Sequence, residues 1–79
     1  MTQVIYQYFK KELEEGKILV RINPQTFEGT ELLVNAESQV QLTKRLFDKT
    51  IYEDLDFDEF SNGSALEFNL YLKGIGSQK

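Results

Sequence analysis

Lys17-Ile18-Leu19-Val20-Arg21-Ile22-Asn23 is the stretch on which the fold turns. Ile18, Val20 and Ile22 fall on one face and Lys17, Leu19 and Arg21 on the other, the period of a β-strand. Pro24, the one proline, opens a turn-rich segment over residues 23–29. Beyond it Thr30, Leu32 and Val34 alternate with Glu31, Leu33 and Asn35. The economical reading is a hairpin with a loop of about seven residues. If it closes symmetrically about Thr26, Ile22 pairs with Thr30, Val20 with Leu32 and Ile18 with Val34. That register sets Leu19 opposite Leu33 on the second face.

Working back from this hairpin, Val4, Ile5, Tyr8, Phe9 and Leu13 form a single stripe at helical spacing, with Gly16 placed to end it, which predicts a helix over residues 2–15. The competing reading is a strand over residues 4–9, rich in β-branched and aromatic residues, and Glu14 and Glu15 oppose a helix dipole. Spacing decides for the helix. Working forward, Ser38-Gln39-Val40-Gln41 has the form of a capping box and precedes Leu42, Leu46, Phe47, Ile51 and Leu55, which predicts a helix from about Gln39 to about Leu55. Val40 and Leu42 also alternate with glutamines, so the start of this helix competes with an extension of the preceding strand. After an acidic run, Asn62-Gly63 signals a turn. Leu66, Phe68, Leu70 and Leu72 then alternate with Ala65, Glu67, Asn69, Tyr71 and Lys73, the pattern of a last strand. Residues 74–79 read as a flexible end.

The expected fold is therefore α+β, a small two-layer domain over residues 1–73 in the order α-β-β-α-β. Its three mainly antiparallel strands carry both helices on one face. The chain has 79 residues, 9 Lys and Arg against 13 Asp and Glu, and a net charge of −4. It has no His and no Cys, which removes imidazole-based triads, thiol nucleophiles and Cys/His zinc sites, so no enzyme activity and no cofactor are expected. The acidic pI of about 4.7 argues against direct binding of nucleic acid or of anionic membranes. Residues 1–9 lack the basic and apolar regions of a signal peptide, and no stretch approaches about 20 apolar residues, so the expected location is cytoplasmic.

Two features suggest contact surfaces. Glu53, Asp54, Asp56, Asp58 and Glu59 place five carboxylates in seven residues. Asp54, Asp56 and Asp58 share the first spacings of a calcium loop. The position that needs Gly is Glu59 and the one that needs a bidentate Glu is Ala65, so no metal site is expected. The run reads instead as a solvated helix end or a partner-binding patch. The second feature is the sheet face away from the helices, where Leu19, Leu33, Tyr71 and Ala65 would gather. Such a face serves a homodimer or another protein partner, unless the acidic segment or the C-terminal residues fold over it. Phe27, an aromatic in a polar loop, is either buried beneath a sheet edge or presented to a partner. Lys44, Arg45 and Lys49 read as the solvated face of the second helix, offset by Asp48, Glu53 and Asp54. The most economical function is a non-catalytic, self-associating interaction or regulatory module. The alternatives are a ligand-binding or carboxylate-based catalytic domain, and an acidic decoy for a DNA-handling protein.

Overall fold

A computed structural model describes residues 5–37 and 39–77, with side chains through residue 73. The elements are β1 (Gln7–Leu13), β2 (Gly16–Ile22), β3 (Glu28–Asn35), β4 (Val40–Leu46), α1 (Ile51–Phe57), β5 (Ser61–Asn62) and α2 (Ala65–Ser77). All strands pair antiparallel in one five-stranded sheet of order β4-β3-β2-β1-β5. The class is α+β, but the three-stranded sheet and the α-β-β-α-β order are overturned.

Three elements change type. The expected first helix is β1, whose Tyr8 and Phe9 point to opposite faces of the sheet; Thr2 and Val4 of that expectation lie outside the described residues. The expected second helix divides into β4 and α1, and its proposed cap, Ser38, also lies outside the described residues. The turn before β4 is organised by Asn35, whose Oδ1 accepts hydrogen bonds from the backbone N–H groups of Glu37 and Gln39, both at 2.9 Å. The expected last strand is α2. Ser64 caps it, its Oγ accepting from Glu67 N at 3.2 Å and its carbonyl from Phe68 N at 3.0 Å. The helix runs through Ser77, so of the end expected to be flexible only Gln78 and Lys79 lie outside the described residues.

The β2–β3 hairpin forms with its register moved by one residue. Ile22 pairs with Gly29, Val20 with Glu31, Leu19 with Leu32 and Ile18 with Leu33. The loop causes the shift. Asn23 N donates to Glu28 O at 2.8 Å and Phe27 N donates to Asn23 O at 2.7 Å, so the ladder closes at the Asn23–Glu28 pair. Phe27 takes a left-handed φ of 64° to make that closure. Because side chains alternate along a strand, a slip of one residue exchanges faces. Leu19 joins Leu32 and Val34 on one side, whereas Ile18, Val20, Ile22 and Leu33 stand on the other.

Each face has its own core. On one, Leu19, Leu32, Val34 and Phe68 of α2 are buried, with Tyr8, Val40, Leu42, Tyr71 and Leu72 packed against them. On the other, Val20, Ile22 and Leu55 of α1 are buried beneath Phe9, Ile18, Phe47, Ile51, Tyr52 and Phe60. The helices thus lie on opposite faces. Gly29 is fixed by this packing, since the Phe47 ring occupies the space its Cβ would take. Gly16 closes the β1–β2 hairpin at a φ of 146°, against the Val34 carbonyl.

The helical reading of residues 65–73 has a direct test. A strand would put Leu66 and Phe68 on one face, with similar costs of truncation. In α2, Phe68 is 1% exposed and Leu66 72%. Phe68→Ala should lower the unfolding free energy in urea by about 3–5 kcal/mol. Leu66→Ala should stay within about 0.5 kcal/mol of the wild type. Equal costs would restore the strand.

Candidate functional site

The surface most distinct in chemistry is α2 and its seat on the sheet. Glu67 reaches down from the first turn of α2 to two lysines on neighbouring strands. Lys17 Nζ donates to Glu67 Oε2 at 2.6 Å, and Lys10 Nζ lies 3.3 Å from Glu67 Oε1. The hydrogen bond from Lys17 is the main reason that the Glu67 carboxyl is held below its ordinary range. The same bond, with one involving Tyr71, pushes Lys17 up to about 12. Lys17 also lies 4.9 Å from the centre of the Tyr71 ring. Next to this polar clamp Tyr8 meets Phe68 edge to face at 5.6 Å.

With Phe68, Tyr71 and Leu72 turned to the sheet, the helical period sends Leu66 and Leu70 outward, 72% and 62% exposed. They are one turn apart and form an apolar stripe on the solvent side. Sequence reasoning missed both as surface residues because it placed them in a strand. Two signals were present: Ser64-Ala65-Leu66-Glu67 is a capping box, and Phe68, Tyr71 and Leu72 follow the i, i+3, i+4 spacing of a buried helix face.

The expected contact residues separate. Leu19, 2% exposed, lies under α2, and Tyr71 is half-buried against the same core. What covers the face expected to be open is the C-terminal segment itself, folded as a helix. Leu33 is on the α1 side, 41% exposed. Phe27 is half-buried with its ring 6.1 Å from that of Tyr52. The acidic segment is α1 and its end: Glu53 and Asp54 sit in the first turn, where the dipole favours them, and Asp56, Asp58 and Glu59 follow, all exposed. Among the described residues no group of three or more carboxylates converges as a metal site would require. Lys44 and Arg45 stand on opposite faces of β4, where Arg45 pairs with Glu31 at 3.4 Å, instead of on one helix face.

Comparison with family models, curated proteins and solved structures finds no match to this chain. No helix among the described residues is long and apolar enough to cross a membrane.

The clamp makes the seat of α2 sensitive to acid. A carboxyl with a lowered folded value stabilises the fold fully above its ordinary value of 4.5, and that contribution is lost as pH falls through the folded value. Glu67→Gln should cost about 1 kcal/mol at pH 7, measured by thermal unfolding, and the gap from wild type should close below pH 4.5. A gap that is constant from pH 7 to pH 3 would mean that the clamp carries no such linkage.

Proposed function

We propose that the chain is a non-catalytic, cytoplasmic interaction module that pairs with a second copy of itself through the outer stripe of α2. One observation carries this reading: α2 is apolar on both sides, with Phe68, Tyr71 and Leu72 against the sheet and Leu66 and Leu70 in water. An exposed apolar stripe of this kind, here bordered by the exposed polar residues Asn69 and Lys73, is a surface that a protein partner covers. A second copy fits because the stripe brings no carboxylate into the contact. Glu67, the acidic residue of α2, is held inward by Lys10 and Lys17. A two-fold axis across the helix sets Leu66 of one copy against Leu70 of the other. Two chains of net charge −4 can therefore meet here without opposing their acidic segments.

The lack of His and Cys supports a role without acid–base or thiol chemistry, and the acidic balance supports a protein partner over nucleic acid or membrane. A 13-residue helix is about 20 Å long, so two stripes bury less than the roughly 1,200 Å² of a stable interface. The pairing is consequently weak and set by concentration. Sedimentation equilibrium from about 1 μM to 1 mM should show a mass that rises from 9.2 kDa toward twice that value, at affinities no tighter than micromolar. Leu66→Glu and Leu70→Glu should each hold the mass at 9.2 kDa throughout, with the fold intact by circular dichroism. A wild type that stays monomeric at every concentration rejects the proposal.

A further inference from the structure

The register places Tyr8, Arg21, Thr30 and Lys44 in one row across four strands, on the α2 face of the sheet. Next to this row lies an open cleft of about 490 Å³ lined by Tyr6, Arg21, Glu28, Thr30, Lys44, Arg45 and Leu46, with Asn23 and Gly29 beside them. That volume falls within the range of small-molecule sites.

Lys10, Lys17 and Arg45 each meet a carboxylate, whereas Arg21 and Lys44, like Lys11 and Lys49, meet none among the described residues; what sets Arg21 and Lys44 apart is that they line one cleft. Arg21 is fixed without a carboxylate. Its guanidinium carbon lies 4.7 Å from the centre of the Tyr6 ring and 5.1 Å from that of Phe68, contacts that hold the side chain while its N–H groups meet no anion among the described residues. Thr30 is 7% exposed, and its hydroxyl makes no hydrogen bond among the described residues. Neighbouring strands are about 4.8 Å apart, so the backbone positions of Arg21, Thr30 and Lys44 stand in sequence over a span of about 10 Å. Three cationic residues, Arg21, Lys44 and Arg45, line the cleft with a single carboxylate, that of Glu28; Arg45 is paired with Glu31, and Glu28 accepts from the Thr26 hydroxyl at 3.4 Å.

We propose that this cleft binds a small phosphomonoester, with the phosphate held by Arg21, Thr30 and Lys44 and the organic part against Tyr6 and Leu46. The chemistry follows from the donors. A phosphate offers several acceptor oxygens to the planar fork of an arginine and the point charge of a lysine, and charge-assisted bonds of this kind are the strong ones. Leu46, 77% exposed, and Tyr6, 39% exposed, supply apolar surface at the mouth. Glu28 limits the charge the cleft tolerates, which disfavours polyanions relative to a monoester. The site is independent of the outer stripe of α2, so neither proposal stands or falls with the other.

The test is an amide NMR titration of the full chain with phenyl phosphate at constant ionic strength. Amide shifts should saturate around Arg21, Thr30 and Lys44, and inorganic phosphate should bind several-fold more weakly because it lacks the ring. Lys44→Met, an exposed position on an edge strand, should leave the remaining spectrum in place and weaken binding at least tenfold; Thr30→Val should weaken it about threefold. Shifts reproduced by sodium chloride, equal affinity for benzyl alcohol, or unchanged affinity in Lys44→Met overturn the proposal. Tighter binding of a short oligonucleotide than of phenyl phosphate overturns it too, in favour of a nucleic-acid surface.

Discussion

Everything in this fold depends on β2 burying apolar side chains on both faces. Leu19 points one way and Ile18, Val20 and Ile22 the other, and three of these four are at most 2% exposed. An antiparallel sheet can leave one face wet, but this one cannot, because burying only one side of β2 would leave the other in water. The chain meets the demand with one helix per face. From β4 at one edge, α1 carries the chain across the first face to β5 at the other edge, and α2 then returns over the second. The order of elements is thus a consequence of a central strand that needs cover twice.

The same double burial explains what was legible in the sequence. The β2–β3 hairpin was readable, because strands of seven and eight residues bracket a clear turn. Its register was not, since the slip is set by the left-handed Phe27 and the Asn23–Glu28 closure, which a symmetric turn does not anticipate. In β1, adjacent Tyr8 and Phe9 each serve a different core, and an apolar pair of this kind imitates the i, i+1 clustering of a helix stripe. In α2 the imitation runs the other way. Leu66 and Leu70 outside, with Phe68 and Leu72 inside, produce an alternation that reads as a strand. The capping box at Ser64 and the neighbouring Tyr71 and Leu72 were the local evidence for a helix, outweighed by a regular pattern.

For the surface, the consequence is a redistribution. Leu19, expected outside, becomes core, and Leu66 and Leu70, two residues before and after Phe68 in α2, carry exposed apolar area in its stead. The acidic segment was recognisable from the run of carboxylates alone; Glu53, Asp54 and Asp56 are exposed on α1, where Leu55 is the buried anchor, and Asp58 and Glu59 follow its end. The basic residues of β4 were not interpretable from sequence, because a helix puts Lys44 among acidic neighbours and a strand puts it in line with Thr30 and Arg21. Secondary structure therefore decides whether these cations are neutralised locally or gathered in a cleft.

Amide hydrogen exchange across the sheet tests the central role of β2 most directly. Every strand in the sheet is antiparallel, but β2 alone is paired along its whole length on both sides and covered by a helix on both faces. Its amides should exchange only through global unfolding, with the largest protection in the chain, while β4, at the sheet edge, exchanges through local opening. Protection of Leu19 to Ile22 equal to or lower than that of Val40 to Leu46 would contradict a fold built on a doubly covered central strand.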